Sequence, residues 1–504
     1  MALHCAVPGK FLSAVLLRMW TLLLPPVGLA LLWRSTARLR RKLFGTIGIL
    51  LYCLPYCALI IWVLMRTTGL QVEWRGGFPP VLTYSKTLPD YDAVDKSRAA
   101  QHGLPVPAAT NSAIAALPPY WTDFRGPNRD GLYGETPILT NWPAAGLREL
   151  WRQPIGGGYA SFVVAEGLVF TIEQRRDFEV TAAYDLATGR EVWTNGWAAH
   201  FQESMGGEGP RATPTYHEGK LYVQGAEGDF RCLEAATGKT LWFKNVLKDT
   251  MSGLLYFGMA SSPLVVDDKV IVQSGDSPGK KSVVAYDRAT GAVIWGALDD
   301  SGAYGSPMLV TLAGQRQLLI ATERRVVGLA VETGQLLWEF PWVVNLHNRN
   351  VAQPVLLNTN RFMLSAGYGT GCEAVEIGKT DTGFSARSVW KNKFLKNKFT
   401  SSVCWNGFVF GLDEDLLSCL NADTGERQWK DGRYGYGQLL VASGCLIILS
   451  GEGELALVRA IPDHYEELAR FQAIHGKTWN HPAIAHGKLL VRNAVEMACF
   501  DLSP

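Results

Sequence analysis

Short apolar runs separated by turn residues recur along most of the chain. The stretches "TPTYHEGKLYVQG" and "HPAIAHGKLLVRN" are clear copies, each with an apolar run, a tight turn that contains Gly, and a second apolar run. This arrangement is typical of a β-hairpin. Eight such hairpins open along the chain, near Ala160, Thr213, Ser262, Ser306, Gln353, Ser401, Gln438 and His481.

A second pattern follows the hairpins. The stretch "AYDLATGREVW" returns as "CLEAATGKTLW", "AYDRATGAVIW", "GLAVETGQLLW" and "CLNADTGERQW". It predicts a third strand, a turn closed by Gly at positive φ, and a fourth strand that begins near Trp. Because a repeat unit cannot bury its own apolar face, we expect this Trp to pack against the neighbouring sheet. The residues expected to dock the sheets in this way are Trp151, Trp193, Trp242, Trp295, Trp338, Trp390 and Trp429.

The repeats also predict how the fold closes. Their tryptophans stand roughly 40 to 50 residues apart, which suits one four-stranded unit. The last unit ends before any Trp, whereas Trp151 precedes the first hairpin. We therefore expect the N-terminal strand to complete the last blade and close a ring. The prediction is an all-β fold, an eight-bladed β-propeller over residues 121–504; seven blades are the alternative if 436–471 is an insertion.

The N-terminal part of the chain is apolar in a different way. Residues 11–33 and 43–65 are each long enough to cross a bilayer as a helix, and the basic segment 34–42 between them favours the cytoplasmic side. We expect a transmembrane helical hairpin over 1–65 and a Pro-rich linker over 66–120. The chain would then be multi-pass in the bacterial inner membrane, with its propeller in the periplasm. A single anchor and a cleaved signal peptide are the alternatives.

Composition and motifs exclude several function classes. The net charge is only +2, so no strong field attracts nucleic acid. The nine His show no metal-ligand spacing, and no Gly-rich phosphate loop or Ser/His/Asp arrangement is present. The sequence therefore predicts no metal site and no nucleic-acid partner.

The repeated phrase, written AYDxxTGxxxW, resembles the PQQ-like (pyrroloquinoline quinone) propeller repeat. The stretch "WTDFRGPNRDG" at 121–131 is similar to the opening motif of a group of bacterial PQQ-like repeat proteins. Such repeats occur in quinoprotein alcohol dehydrogenases and in the propeller lipoprotein of the outer-membrane β-barrel assembly machine. The resemblance therefore implies the propeller and two functions. One is a non-catalytic protein-interaction or ligand-binding module with an envelope protein partner; the alternative is a dehydrogenase that oxidises alcohols or sugars.

The dehydrogenase alternative implies PQQ and calcium, and this chemistry needs oxygen ligands and a carboxylate base. The resemblance also implies a disulfide between adjacent cysteines, but the sequence has no Cys-Cys pair. The residues before each innermost strand should line the channel mouth, and they offer hydroxyls and amides without Asp or Glu. The sequence therefore favours the non-catalytic role without a cofactor. The candidate ligand-binding residues at the channel mouth are Glu203, Arg211, Tyr304, Asn350, Gln353, Gln438, Asn480 and His481.

Overall fold

A computed structural model gives the architecture in two compact units. One comprises residues 1–73 and 79–86, and the other comprises residues 74–78 and 87–504. Within them, the structure describes residues 24–35, 37–68, 70–77, 80–83, 88–102, 118–276, 281–345 and 349–504.

The smaller unit contains two helices, Pro25–Arg34 and Leu39–Thr68. Trp33 Nε1 donates to Thr46 Oγ1 at 3.0 Å, so the two helices are in contact near the turn that joins them. Among the described residues, Leu39–Thr68 is the one helix that is long and apolar enough to cross a membrane. The structure thus shows one long apolar helix, because residues 11–23 of the first expected span lie outside the described residues.

Apolar side chains of the long helix face outward. Phe44 and Leu54 are 76% and 72% exposed, and most of the helix is similarly uncovered. A helix that is apolar and exposed is suited to a lipid environment rather than to water. The same unit also holds a short antiparallel ribbon, in which Gln71–Glu73 pairs with Val81–Thr83.

The larger unit is an eight-bladed β-propeller, in which each blade is an antiparallel sheet numbered here in chain order. The strands of the first four blades, from the innermost outward, are as follows. Blade 1 has Val163–Ala165, Leu168–Arg175, Phe178–Asp185 and Glu191–Ala198; blade 2 has Thr215–His217, Lys220–Gln224, Asp229–Glu234 and Thr240–Asn245; blade 3 has Leu264–Val266, Lys269–Gln273, Val283–Asp287 and Val293–Ala297; blade 4 has Met308–Leu312, Gln315–Ala321, Arg325–Leu329 and Leu336–Pro341.

The remaining blades include the segment that the alternative count treats as an insertion. Blade 5 has Val355–Leu356, Arg361–Ala366, Gly371–Thr380 and Gly383–Asn392; blade 6 has Val403–Trp405, Phe408–Asp413, Leu416–Asn421 and Arg427–Arg433; blade 7 has Gln438–Ala442, Cys445–Leu449, Glu454–Arg459 and Glu467–Gln472; blade 8 has Ala483–Ala485, Lys488–Arg492, Glu496–Asp501 and Glu149–Pro154. Residues 436–471 therefore supply a full blade, and the seven-blade alternative is wrong. Three short elements stand outside this pattern: Leu132–Tyr133, which runs parallel to Gln438–Ala442, the pair Gln202–Glu203 and Gly207–Glu208, and the helix Val246–Thr250.

The ring closes through the N-terminal strand, as the sequence predicts. Glu149–Pro154 pairs antiparallel with Glu496–Asp501, and Trp151 lies opposite Cys499. The first and last parts of the propeller therefore share one sheet, and the strand Glu149–Pro154 covers the outer edge that Glu496–Asp501 would otherwise leave unpaired.

The repeated motif AYDxxTGxxxW forms the contacts between blades. Trp193 of blade 1 donates its Nε1 proton to Ala235 O of blade 2 at 2.9 Å, and its ring covers Gly238 in the phrase of that next blade. Gly238 has φ 73°, and a Cβ there would lie 2.3 Å from the indole. Each copy of the motif thus packs its Trp against the next blade, and its Gly receives the Trp of the preceding blade. The same indole-to-carbonyl bond is made by Trp151, Trp242, Trp295, Trp390 and Trp429.

Trp338 is buried but differs in its partner. Its Nε1 donates to Gln317 Oε1 of its own blade at 2.6 Å. The next blade has long third and fourth strands, Gly371–Thr380 and Gly383–Asn392, and its turn lies farther out. The carbonyl that other tryptophans use is therefore replaced by a side-chain amide.

A helix, Tyr91–His102, lies within the segment expected to be a linker. Arg98 donates to Pro154 O at 2.7 Å, and Gln101 donates to Gln153 Oε1 at 3.0 Å. These bonds hold the helix against the strand that closes the ring.

Candidate functional site

A ring of eight residues surrounds the central channel where the innermost strands begin. Six of them are joined by five bonds, each from the backbone N–H of one blade to the side chain of the next. We call these eight the ring residues: Ser161, Thr213, Ser262, Ser306, Gln353, Ser401, Gln438 and His481. The bonds are Ser161 to Thr213 (2.9 Å), Thr213 to Ser262 (2.9 Å), Ser262 to Ser306 (2.9 Å), Ser306 to Gln353 (2.6 Å) and Gln353 to Ser401 (3.1 Å). Small polar side chains at the starts of the strands therefore stitch neighbouring blades together.

A second ring stands two residues earlier in each blade. Because extended chain places residues i and i−2 on the same side, these side chains also face the channel, nearer its mouth. We call them the mouth residues: Tyr159, Arg211, Ala260, Tyr304, Val351, Phe399, Tyr436 and Trp479. All except Tyr436 line a cavity of about 170 Å³, the channel-mouth pocket. Its other lining residues are Trp74, Phe124, Glu203, Gly206, Phe257, Tyr368 and the ring residues Ser306, Ser401, Gln438 and His481.

The opposite end of the channel is filled by the segment 121–131, which we call the plug. Arg129 of the plug is 2% exposed and donates to Ser262 O at 3.1 Å and to Pro307 O at 2.8 Å. It also pairs with Asp123 at 2.6 Å. Arg125 donates to Ser402 O at 2.9 Å on the other side of the channel. The motif "WTDFRGPNRDG" is therefore the structural core of the channel, and only Phe124 of it reaches the pocket.

The one carboxylate of the pocket is already occupied. Glu203 pairs with Arg211 at 3.1 Å, and the two side chains are 5% and 8% exposed. Its two oxygens also accept the backbone N–H groups of Met205 (2.7 Å) and Gly206 (2.6 Å). Burial lowers the pKa of Arg211, and Glu203 counters that effect. The pair is thus neutral as a whole and has little capacity left for a ligand.

His481 gives the floor of the pocket a neutral polar group. Burial lowers the pKa of His481 well below its usual range, and Arg125 adds to the effect. Its ring lies edge-on to Phe124 with centroids 4.9 Å apart. Among the described residues, neither ring nitrogen has a hydrogen-bond partner. The imidazole is therefore uncharged and free to bind a group that enters the pocket.

One side of the mouth is an aromatic cluster. Trp479 stacks on Tyr159 with ring centroids 5.4 Å apart, and Phe399 lies 4.5 Å from it. Trp74, on the segment 74–77, packs edge-on against the same indole at 5.4 Å. The segment is held by Lys398, which donates to Gly76 O at 2.5 Å. The chain that precedes the propeller thus supplies part of the pocket wall.

The structure brings together five of the eight candidate residues. Glu203, Arg211, Tyr304, Gln438 and His481 all line the channel-mouth pocket. Gln438 has an amide already engaged, because its Nε2 donates to Phe399 O (3.1 Å) and Trp479 O (3.0 Å).

The other three candidates are buried beside the channel, and their amides bond the protein itself. Asn350 donates to Ala352 O at 2.9 Å. Gln353 accepts from Ser306 N and donates to Ser306 O at 3.1 Å. Asn480 donates to Ala160 O at 3.0 Å and to Gly158 O at 3.2 Å. Gln353 and Asn480 thus link neighbouring blades, whereas Asn350 bonds within its own segment.

Several pocket residues were not among the candidates, although the sequence carries a signal for some of them. An aromatic residue stands two places before the ring residue in five of the eight blades, as in Tyr159, Tyr304 and Trp479. That spacing would have identified the aromatic cluster. Trp74 and Tyr368 carry no such signal, because they come from outside the inner-strand pattern.

The donor set does not fit PQQ and calcium. Calcium takes six to eight oxygen ligands and favours carboxylates, whereas the pocket has Glu203 alone, already paired with Arg211. Among the described residues, no group of three or more His, Cys, Asp or Glu side chains converges. The residues thus supply neither the metal site nor the base.

Comparison with known proteins agrees with the geometry of the ring. The family model described as outer membrane protein assembly factor BamB matches residues 176–431, slightly more than half of the chain. The chain belongs to this family. Two solved propellers have the same fold: BamB from Moraxella catarrhalis (TM-score 0.52, 15% identity, 71% of this chain and 98% of that one) and quinohemoprotein alcohol dehydrogenase from Comamonas testosteroni (TM-score 0.55, 14% identity, 81% and 84%).

Curated relatives come from both branches of the PQQ-like propellers. Outer membrane protein assembly factor BamB of Burkholderia pseudomallei (strain K96243) is 23% identical over 313 residues, which are 59% of this chain and 72% of that protein. Quinohemoprotein alcohol dehydrogenase of Comamonas testosteroni is 30% identical over 146 residues, which are 28% of this chain. The chain spans only 19% of the length of that enzyme. The comparisons therefore establish the family of this chain. They do not establish that the chain has the activity of either relative.

Proposed function

We propose that this protein is a non-catalytic propeller of the bacterial cell envelope that binds a protein partner at its channel mouth. The observation that carries the proposal is the channel-mouth pocket itself. The pocket is walled by aromatic side chains, and its one carboxylate is neutralised by Arg211. Such a site can bury an apolar group, but its described residues provide neither a free carboxylate base nor a set of metal ligands.

The relatives named as outer membrane protein assembly factors support a partner-binding role. A loop beside the pocket supports the same role, because it exposes three large apolar side chains: Met251 at 74%, Leu254 at 41% and Tyr256 at 63%. The next residue, Phe257, lines the pocket. Exposed apolar groups around an apolar pocket are typical of protein interaction sites. We call residues 251–257 the mouth loop.

The apolar helix supports attachment to a membrane, which we propose is the inner membrane. Leu39–Thr68 has the length of a span, and the basic residues between 34 and 42 favour the cytoplasmic side. With the basic segment on the cytoplasmic side, the crossing by Leu39–Thr68 places the propeller in the periplasm. An alkaline phosphatase fused after Pro504 would then be active in cells; an inactive fusion, with a cytoplasmic reporter active instead, would contradict the orientation.

Photo-cross-linking tests the partner role directly. A photoreactive residue in place of Tyr256, in cells that make the full chain, is expected to capture a reproducible envelope protein. The matched control carries the same residue in place of Asp423, which is 78% exposed on a turn at the other end of blade 6. No adduct from Tyr256, or the same adduct from both positions, would contradict the proposal.

Reconstitution separates this proposal from a dehydrogenase. The purified full chain is incubated with PQQ and Ca²⁺, and reduction of an artificial electron acceptor is measured with alcohols and sugars. We expect no turnover above that of PQQ and Ca²⁺ alone. Substrate-dependent reduction that requires the folded protein would overturn the non-catalytic assignment.

A further inference from the structure

The size of the channel-mouth pocket matches one aromatic ring. Its volume of about 170 Å³ compares with an engineered apolar cavity of about 150 Å³ that binds benzene. The walls are themselves aromatic or aliphatic, from Tyr159, Tyr304, Val351, Phe399 and Trp479. A planar ring would therefore be enclosed by surfaces that favour it.

The floor of the pocket favours a neutral hydroxyl at the end of that ring. Ser306 and Ser401 each accept a backbone N–H through Oγ, and among the described residues neither hydroxyl donates to an acceptor. His481 is neutral and has unbonded ring nitrogens. One phenolic O–H can either donate to the imidazole or accept from a serine hydroxyl, so it can bond either kind of polar group.

Charged ligands are disfavoured by the same residues. Within the lining of the pocket, the one cation is Arg211, which already pairs with Glu203 at 3.1 Å, so a carboxylate on the ring would find no free cation among the lining residues. Lys477, whose Nζ lies 4.3 Å from the centre of the Trp479 ring, donates to Gly206 O at 2.8 Å. An ammonium would need an uncompensated acid, and Glu203 is the one acid in the lining. Burying an unpaired charge is costly, so the pocket selects a neutral group.

We infer that the channel-mouth pocket binds a phenol ring, and that the source is a tyrosine side chain of the protein partner. This inference rests on the proposed function, because the mouth loop would cover the chain on either side of that tyrosine. The exposed Met251 and Tyr256 would then exclude water around the buried ring, as near-neutral contacts do around an anchor residue.

The test titrates the full-length protein in detergent with four probes of similar size, followed by calorimetry and tryptophan fluorescence. The probes are 4-methylphenol, toluene, 4-methylbenzoate and 4-methylbenzylammonium. We expect 4-methylphenol to bind about tenfold more tightly than toluene, since one net hydrogen bond is worth about that factor. Tighter binding of either charged probe, or no preference for the phenol, would overturn the inference.

Variants at the floor link the preference to His481. His481→Phe is expected to remove most of the tenfold preference for 4-methylphenol over toluene, whereas His481→Gln keeps a donor and an acceptor and should retain it. The matched control, His464→Phe, changes a side chain that is 64% exposed on a turn far from the channel mouth. A preference that survives in His481→Phe would contradict the assigned floor.

A final pair of measurements identifies the source of the ring and separates this inference from the proposed function. N-acetyl-tyrosinamide should bind more tightly than N-acetyl-phenylalaninamide, and 4-methylphenol should reduce the adduct formed from position 256. An adduct that phenol does not reduce would overturn the tyrosine inference and leave partner binding intact. Phenol binding without any adduct would overturn the protein source and the proposed function together.

Discussion

The two ends of the propeller channel are built from the same repeats, but one end is filled by the plug and the other is open. At one end the plug donates from Arg129 and Arg125 to carbonyls of several blades, and Arg129 pairs with Asp123. At the other end the mouth residues are mostly aromatic and leave a cavity of about 170 Å³. Stability alone favours filling a cavity. The open apolar pocket is therefore the basis of our proposal that the mouth binds a partner, whereas the plug is explained by the stability of the channel.

The largest effect is expected from breaking the plug. Arg129→Met leaves Asp123 buried without its cation, so we expect the free energy of unfolding to fall by about 3–5 kcal/mol. Urea unfolding of the full chain measures this loss. Adding Asp123→Asn should recover part of it, because the unpaired charge is then absent. Unchanged stability of Arg129→Met would show that the plug does not hold the channel.

A smaller effect, dependent on pH, is expected at Glu179 near the mouth end of blade 1. Burial raises the pKa of Glu179 from 4.5 to about 7, and no Arg or Lys among the described residues forms an ion pair with it. The folded state thus binds the proton more tightly than the unfolded state. The resulting stability is complete below pH 4.5 and is lost as the pH rises through about 7.

Glu179→Gln should abolish that loss. We expect the variant to exceed the wild type by roughly 3 kcal/mol at pH 8.5, from the size of the pKa shift, and by little at pH 4.5. Unfolding free energies at the two pH values give the comparison. Equal pH dependence in the two proteins would mean that the buried carboxyl is already compensated.

The smallest effect is expected at the joints between blades. Gly238→Ala places a methyl group 2.3 Å from the Trp193 indole at φ 73°, whereas Gly219→Ala has φ 72° and no atom within 4 Å. Gly219→Ala should cost about 1 kcal/mol for its backbone conformation alone. Gly238→Ala should cost about 1–2 kcal/mol more for the displaced indole. Thermal unfolding measures both, and equal losses would show that the indole contact is unimportant.

The fold can be predicted from the sequence because the residues that specify each blade recur in almost every repeat. Thr-Gly before Trp recurs at the spacing of one blade, and the orphan Trp151 indicates the closing strand. The partner of Trp338 was not predictable, because it depends on the longer strands of blade 5. The helix Tyr91–His102 was missed for a similar reason: it is fixed by bonds to a distant strand rather than by a strong pattern of its own.

The candidate site was predicted only in part. Position before the inner strand indicates which residues lie near the channel, but it does not show which side chains already have hydrogen-bond partners. Asn350, Gln353 and Asn480 use their amides within the protein, while the ring nitrogens of His481 have no hydrogen-bond partner in the part of the chain that the structure describes. That difference depends on the distances between side chains of neighbouring blades, and the sequence pattern of a single strand carries no information about those distances.

The central claim is that the open mouth, and not the plugged end, receives the partner. Hydrogen–deuterium exchange of the full-length protein, alone and with the partner captured by cross-linking, tests it most directly. The claim predicts slower exchange across the mouth loop, residues 251–257, with no change in the turn at 422–426 at the other end. Protection confined to that turn, with the mouth loop unchanged, would contradict it.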